Sequence, residues 1–349
     1  MRNFFSILVF CFWSINIIGQ QRPIVLPEDL NESSLDIKCY CKPGVRNKTR
    51  SKGVEISYQY LGSGDISAPN DEFLEPFPRY SKFRNFRTKL SIPVLRGEQF
   101  KAILGFSYAA EQYELTGSSG NDFQGLVSAT DNTNFKNTSA NISLAFSPNA
   151  TNYIGGKFSL SYKGSYSGLV DFSSRYAVYS GGIAYGIKKN EDNEWGFGIG
   201  GSRNFRNQGL RVLPFVFWNK TINDQWGFQI TFPASYNLRH NVNDKTILIA
   251  SANYNGESYS FDQVSVDNRI IAFNHSEILT LLKLQREIIP WLWLDLQAGY
   301  HFNFNSNFEL QTTRENLLDI DPGNSILVKV GVFISPPDKF LDKKKHEEH

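Results

Sequence analysis

Apolar and polar residues alternate along most of this chain from Val54 onward, in segments of about ten to thirteen residues. In Ala140-Asn141-Ile142-Ser143-Leu144-Ala145-Phe146 the apolar side chains fall on every second position. The stretches from Lys157 to Lys163 and from Trp291 to Phe302 repeat the pattern. A period of two sorts side chains onto the two faces of a strand. Its repetition predicts an all-β fold, a single closed antiparallel transmembrane β-barrel with lipid outside and a polar lumen inside.

Turn chemistry divides the chain into strands. Short links rich in Gly, Pro, Asn and Asp fall at 96–98, 147–151, 189–193, 220–224, 241–244 and 288–290. Long links fall near 62–81, 115–134, 164–175, 260–275 and 305–322. Membrane barrels have short periplasmic turns and longer external loops. Assigning the short set to the periplasm gives about fourteen strands. The links near 205–208 and at Pro233 are then external yet short, and reading 226–240 as one strand lowers the count to twelve.

Large aromatics supply a check independent of the turns. Trp195, Trp218, Trp226 and Trp291, with Phe100, Phe146 and Tyr153, lie within a few residues of the short links. Amphipathic rings favour the headgroup zone, so these residues are expected to form the periplasmic girdle. Tyr60, Tyr108, Tyr162 and Phe304 lie toward the opposite girdle.

Parity assigns the two faces. Val54, Ile56, Tyr58 and Tyr60 point to lipid, as do Phe158, Leu160 and Tyr162, and Leu292, Leu294, Leu296, Ala298 and Tyr300. The opposite parity carries Glu55, Arg87, Lys89 and Lys101, then Lys157, Lys163, Asp295 and Lys329, with Ser57, Gln59, Ser159, Ser161 and Gln297 between them. A Lys or Arg facing lipid at the midplane costs about 2–4 kcal/mol, which fixes this register. The inward set leans basic and favours anions in a water-filled lumen, unless Glu55, Glu111 and Asp295 close it with ion pairs. The stretches Ile247 to Asn255 and Leu210 to Phe217 are apolar on both parities, as strands packed against an inward-folded plug or loop would be.

The segments before and after the alternating region read differently. Residues 1–19 have a short positive start and an apolar run ending at Gly19, the form of a secretory signal peptide. Residues 20–52 do not alternate and form a periplasmic lead-in or, folded into the lumen, a plug. The barrel is expected over 53–335, and 336–349 is a charged periplasmic tail. Mean hydropathy is −0.34, which a barrel permits because only alternate residues meet lipid. Aromatics at 14% suit two interfacial girdles, and a net charge of +2 argues against nucleic acid as a partner. Cys39 and Cys41 form an isolated C-x-C that lacks the second pair of a structural zinc site.

No enzyme, cofactor or metal is expected. His275-Ser276-Glu277 holds the residue types of a hydrolytic triad, but Ser276 faces away from the other two on a strand. His240 and His301 stand alone. The alternate glycines of Gly196 to Gly201 precede no helix, so they mark a close approach or a smooth inner wall. Localisation to a bacterial outer membrane follows, with the lipid bilayer, the outer-membrane assembly machinery and small solutes as partners. The expected function is a passive pore for small solutes with a mildly basic lumen. The alternatives are a plugged structural or binding barrel acting through external loops, and a hydrophobic-ligand transporter with 20–52 as its hatch.

The sequence resembles an uncharacterised, domain-of-unknown-function family of outer-membrane β-barrel proteins of Bacteroidota. Lys42-Pro43-Gly44-Val45, the run from Ser51 to Tyr58, and the segment from Phe232-Pro233-Ala234 to Asn243-Asp244-Lys245 carry the resemblance. It implies a single barrel and no catalytic residue.

Overall fold

The computed structural model describes residues 44–67, 79–97, 99–116, 126, 129–131, 133–204, 210–262 and 270–335. Residues 1–43, which hold the expected signal peptide and all three cysteines, and residues 336–349 lie outside the described residues. The strands, in chain order, are β1 (Val54–Leu61), β2 (Gly64–Asp65), β3 (Arg79–Arg96), β4 (Phe100–Thr116), β5 (Asn134–Phe146), β6 (Asn152–Ser165), β7 (Ala177–Asn190) and β8 (Asn193–Asn204). They continue as β9 (Arg211–Thr221), β10 (Trp226–Phe232), β11 (Ser235–Asn243), β12 (Thr246–Asp262), β13 (Ile270–Ile289), β14 (Leu292–Leu310), β15 (Asn316–Ile320) and β16 (Ser325–Ile334).

Fourteen of these, all but β2 and β15, build one antiparallel wall. Strand β1 pairs with β3 on one side and β16 on the other over its whole length, so the sheet closes. Closure removes every edge, the condition under which strands cross hydrocarbon. No helix among the described residues is long and apolar enough to cross a membrane. Strands β2 and β15 extend the wall at the long-loop end.

Alternation becomes two faces as expected. Ile56, Tyr58 and Tyr60 on β1 and Val328, Val330 and Val332 on β16 stand exposed outside, while Glu55 and Ser57 are buried inside. Side-chain carbonyls shape the short turns. Asn149 Oδ1 accepts from the N–H groups of Thr151 and Asn152, and Asn223 Oδ1 from those of Gln225 and Trp226. Asn190 and Asn243 do the same for Asp192 and Lys245. This is the backbone mimicry that makes Asn a turn former.

Two expected long links are largely strand. Strand β12 runs to Asp262 and β13 starts at Ile270, and β14 runs to Leu310 with β15 following inside 305–322. The polar composition of these segments obscures strands that pair with one another, and in the first of them the start of β13 is buried on both faces. Every residue from Ile271 to Glu277 is buried, whatever its parity.

That double burial comes from a fold into the lumen. Strand β10 has only 7 residues, fewer than the about 9–11 needed to span a bilayer, and β11 has 9, the least that spans one. Their hairpin closes at Pro233-Ala234, which makes the short link at Pro233 real and the strand count fourteen. Strand β12 pairs with β11 up to Asn253. Beyond it, the long-loop halves of β12 and β13 turn inward and reach the opposite wall, where Ser260 bridges Gly164 of β6. A Cβ on Gly164 would sit 2.2 Å from Ser260 O and 2.4 Å from the Tyr176 ring, so only glycine permits the approach. We call this inward-folded layer the septum. Around it Phe135 packs 5.2 Å from Tyr259 and 5.7 Å from Phe273, and Phe308 5.1 Å from Phe273. Ile271, Leu318 and Ile320 complete an apolar cap at the long-loop end.

Candidate functional site

Below the cap the lumen holds a chamber of about 510 Å³. Arg50 and Lys52 line its lower end, and the residues leading to them from Gly44 are held on the short-turn rim. The Gly44 N–H donates to Glu194 Oε2 at 2.6 Å, and the Arg46 N–H to Glu191 O at 3.0 Å. The Arg46 guanidinium pairs with Asp192, and that hydrogen bond raises its pKa further. Thr221 Oγ1 donates to Arg46 O, and Arg50 Nη2 donates to Asp244 O at 3.0 Å. Arg50 lies over the Trp293 ring and Lys52 over the Phe333 ring, at 5.2 and 4.7 Å. These residues form a strap held on turns far apart in sequence.

Apolar side chains flank the strap. Ile247, Ile249, Trp293 and Phe333 form one cluster, and Tyr153, Ala184, Phe215 and Phe217 another. Two of the glycines expected to give close approach do so here: a Cβ on Gly196 would meet the Phe217 ring at 2.4 Å, and one on Gly198 the Phe215 ring at 2.5 Å. Gly186, which the sequence reading did not single out, does the same, since a Cβ there would meet the Tyr153 ring at 2.2 Å. Tyr153 therefore departs from the girdle assignment. It is buried inside, with its hydroxyl donating to Glu194 Oε2 at 3.2 Å, because the glycines opposite leave room for its ring. Trp195, Trp218, Trp226 and Trp291 are exposed at the short-turn end. Trp226 stacks on His240 at 4.3 Å, and Trp218 Nε1 donates to Asn193 Oδ1 at 3.0 Å.

Above the strap stands a basic layer around one carboxylate. Glu55 lies 3.5 Å from Lys52, 3.7 Å from Lys329 and 4.0 Å from Lys89. Lys52 also donates to Asp295 Oδ2 at 2.8 Å. Lys157 and Lys283 line the same chamber from β6 and β13. Lys101 shares the inward parity of Ile103 and Gly105, nearer the turn. The wall between is polar, with Ser139, Asn141, Ser159 and Ser161 on β5 and β6.

The ceiling is acidic and lies against the septum. Lys163 Nζ donates to Glu257 Oε2 at 2.8 Å across the lumen, with both side chains buried. Asn85 Nδ2 donates to Glu111 Oε1 at 2.7 Å, and Arg87 lies 3.9 Å from the same oxygen. His275 Nε2 is 3.6 Å from Glu111 Oε2, and His301 Nε2 is 2.9 Å from Glu277 Oε2. Tyr254 Oη donates to Ser276 Oγ at 3.1 Å, on the other face from His275 and Glu277, so the three neighbours form no triad. Among the described residues no group of three or more His, Cys, Asp or Glu is placed to hold a metal ion.

Of the inward residues read from sequence, Glu55, Arg87, Lys89, Lys157, Lys163 and Lys329 line the chamber, while Asp295 is tied to Lys52 at its edge. Sequence reading missed Lys283 and Glu257 as lining residues. Parity carried through the doubly apolar start of β12 and from Leu279 along β13 would have found both.

Residues 156–331 match the family described as "Domain of unknown function (DUF6268)". The chain belongs to this family. The DUF6268 match runs from within β6 to within β16, ten of the fourteen wall strands, and includes both septum strands. No curated protein matches the chain. Among solved structures it is similar to an outer-membrane channel of Pseudomonas putida F1, at 11% identity and TM-score 0.42, over 86% of this chain and 100% of that one. A FadL homologue of Pseudomonas aeruginosa gives 9% identity and TM-score 0.37, over 81% and 90%. The KdgM porin gives 10% and 0.32, over 80% and 98%. Likeness at this level says nothing of solute or mechanism.

Proposed function

We propose that this DUF6268 protein is a narrow, passive outer-membrane channel for small polar solutes, exported through the signal peptide 1–19, with its short turns in the periplasm. One observation carries the reading: a closed wall with an apolar exterior encloses a polar chamber of about 510 Å³ lined by eight Lys and Arg against four Glu. A chamber with excess positive charge and low-dielectric walls concentrates anions. The basic layer around Glu55 is its selectivity element, and the strap narrows the periplasmic mouth. The four exposed Trp residues anchor that end in the headgroup zone. No catalytic role is assigned.

The test is single-channel conductance of the folded full-length protein in a planar bilayer, with reversal potential under a salt gradient. Anion-selective current that shifts toward cations in the Lys89→Gln/Lys329→Gln variant supports the reading, and electrical silence sinks it. The septum favours a second reading, a plugged barrel that acts through its external loops. Silence that persists after disruption of the septum supports that alternative.

A further inference from the structure

The link between β6 and β7 lies on the outside of the barrel rather than over its mouth. At the long-loop end of β4, β5 and β6 the outward row is Tyr108, Thr138 and Tyr162, which pair across the strands and share the parity of Phe158 on the lipid face. The chain leaving β6 turns back at Gly168, which adopts φ +76°, and then runs against this row. Tyr166 Oη donates to Thr138 Oγ1 at 3.1 Å, Thr138 Oγ1 donates to Leu169 O, and the Phe172 ring meets the Tyr162 ring edge-on at 5.3 Å. Lys136, on the same face of β5, donates to Tyr166 O at 2.6 Å and to Gly168 O at 2.9 Å.

The apolar side chains of this loop project away from the protein. Leu169 is 70% exposed and Phe172 76%, more than the 55% of Phe158 on the wall itself. Its carbonyls are turned the other way. Those of Tyr166, Gly168 and Leu169 are held by Lys136 and Thr138, and Ser165 O accepts from Tyr176 Oη at 3.1 Å. Water would satisfy these carbonyls in a loop that faced it, whereas a loop at a membrane has to satisfy them within the protein. The height agrees. Thr138 stands eight residues along β5 from Phe146 at the short-turn end, about 26 Å of strand and, at a tilt of about 40°, about 20 Å of height. The apolar band of such a barrel is about 25 Å tall, so the loop rests close to its far edge.

We propose that Leu169 and Phe172 form a membrane foot, inserted into the acyl chains of the leaflet at the long-loop end, with the loop backbone at headgroup level. Lipid is the occupant because the two side chains continue the lipid face of Phe158 and Tyr162. Two side chains set between Ser167, Asp171 and Ser173 also fall far short of the roughly 800 Å² per partner of a stable protein interface. The same segment then receives the septum. Arg175 O accepts from Gln311 Nε2 at 2.6 Å, and the Tyr176 ring packs over Gly164. The foot therefore holds in the membrane the piece of chain on which the septum rests, whether or not the barrel conducts.

The test is spin-label accessibility in the full-length protein, folded in lipid vesicles with Cys11, Cys39 and Cys41 replaced by Ser. Nitroxides at Leu169→Cys and Phe172→Cys are compared with one on the lipid face, at Phe158→Cys, and one on an exposed short turn, at Ala150→Cys. The expected result is a ratio of oxygen to nickel-chelate accessibility at least about threefold above that at Ala150, in the direction of Phe158. A lower ratio puts the loop in water and overturns the proposal. Low accessibility to both reagents puts the side chains against protein, a second copy or another loop, and overturns it as well. Leu169→Cys leaves the Phe172–Tyr162 contact intact and carries the test alone if Phe172→Cys does not fold. The labels report position without current, so the outcome is separate from that of the channel reading.

Discussion

Replacing Lys163 with Met tests the septum at a buried ion pair. The Lys163 ammonium and the Glu257 carboxylate meet at 2.8 Å, with side chains 9% and 2% exposed. Removing one member of such a pair leaves an uncompensated buried charge and costs about 3–5 kcal/mol. Asn137 Nδ2 lies 3.4 Å from Glu257 Oε2, a long contact that returns part of this, on the order of 1 kcal/mol. The expected net loss for Lys163→Met is therefore about 2–4 kcal/mol. Lys163→Met/Glu257→Met removes both charges and keeps the volume, so it should recover most of the loss, because paired removal of buried ions is often near neutral. The assay is reversible urea unfolding in lipid vesicles followed by tryptophan fluorescence, closed as a double-mutant cycle. A loss below about 0.5 kcal/mol for the single variant, or additive losses in the double, would refute the claim that this pair ties β12 to β6 across the lumen.

Three other changes probe separate features. Val330→Arg places a charge on the lipid face of β16, where Val330 is exposed, and should cost about 2–4 kcal/mol in vesicle unfolding, while Val330→Leu costs under about 1 kcal/mol. Glu194→Gln removes the charge that receives the Gly44 N–H, the Tyr153 hydroxyl and Asn219 Nδ2; it should release the strap, seen as faster proteolytic cleavage within 46–52 on an otherwise resistant barrel. Gly186→Val puts a Cβ 2.2 Å from the Tyr153 ring and should prevent folding, judged by loss of the heat-modifiable band on gels, whereas adding Tyr153→Ala should restore it.

The wall was legible in the sequence because two strong constraints act on every residue of it. Lipid outside fixes the parity of Ile56, Tyr58 and Tyr60, and backbone hydrogen bonding fixes the turns at residues such as Asn149 and Asn223. The septum was not legible for the same physical reason. Where β12 and β13 leave the wall, neither face meets lipid, so alternation between apolar and polar positions disappears and Ala272, Asn274 and Ser276 look like loop. Apolar residues on both parities of Ile247 to Asn255 signalled inward packing without saying against what. The basic layer followed from parity, because Glu55, Lys89 and Lys329 lie on cleanly alternating strands. The acidic ceiling did not, because it forms where Glu111 of β4, Glu257 of β12 and Glu277 of β13 converge, and that convergence depends on the inward fold. Tyr153 shows how an aromatic near a turn misleads when glycines on a neighbouring strand give its ring space inside.

The most direct test of the central claim, a barrel that passes small polar solutes through a basic chamber, is planar-bilayer conductance of the full-length protein with its reversal potential in a tenfold salt gradient. Steady current with a reversal potential on the anion-selective side, reduced in selectivity by Lys89→Gln/Lys329→Gln, is the predicted result. A folded barrel that carries no current, or one whose selectivity is indifferent to those two lysines, would contradict it.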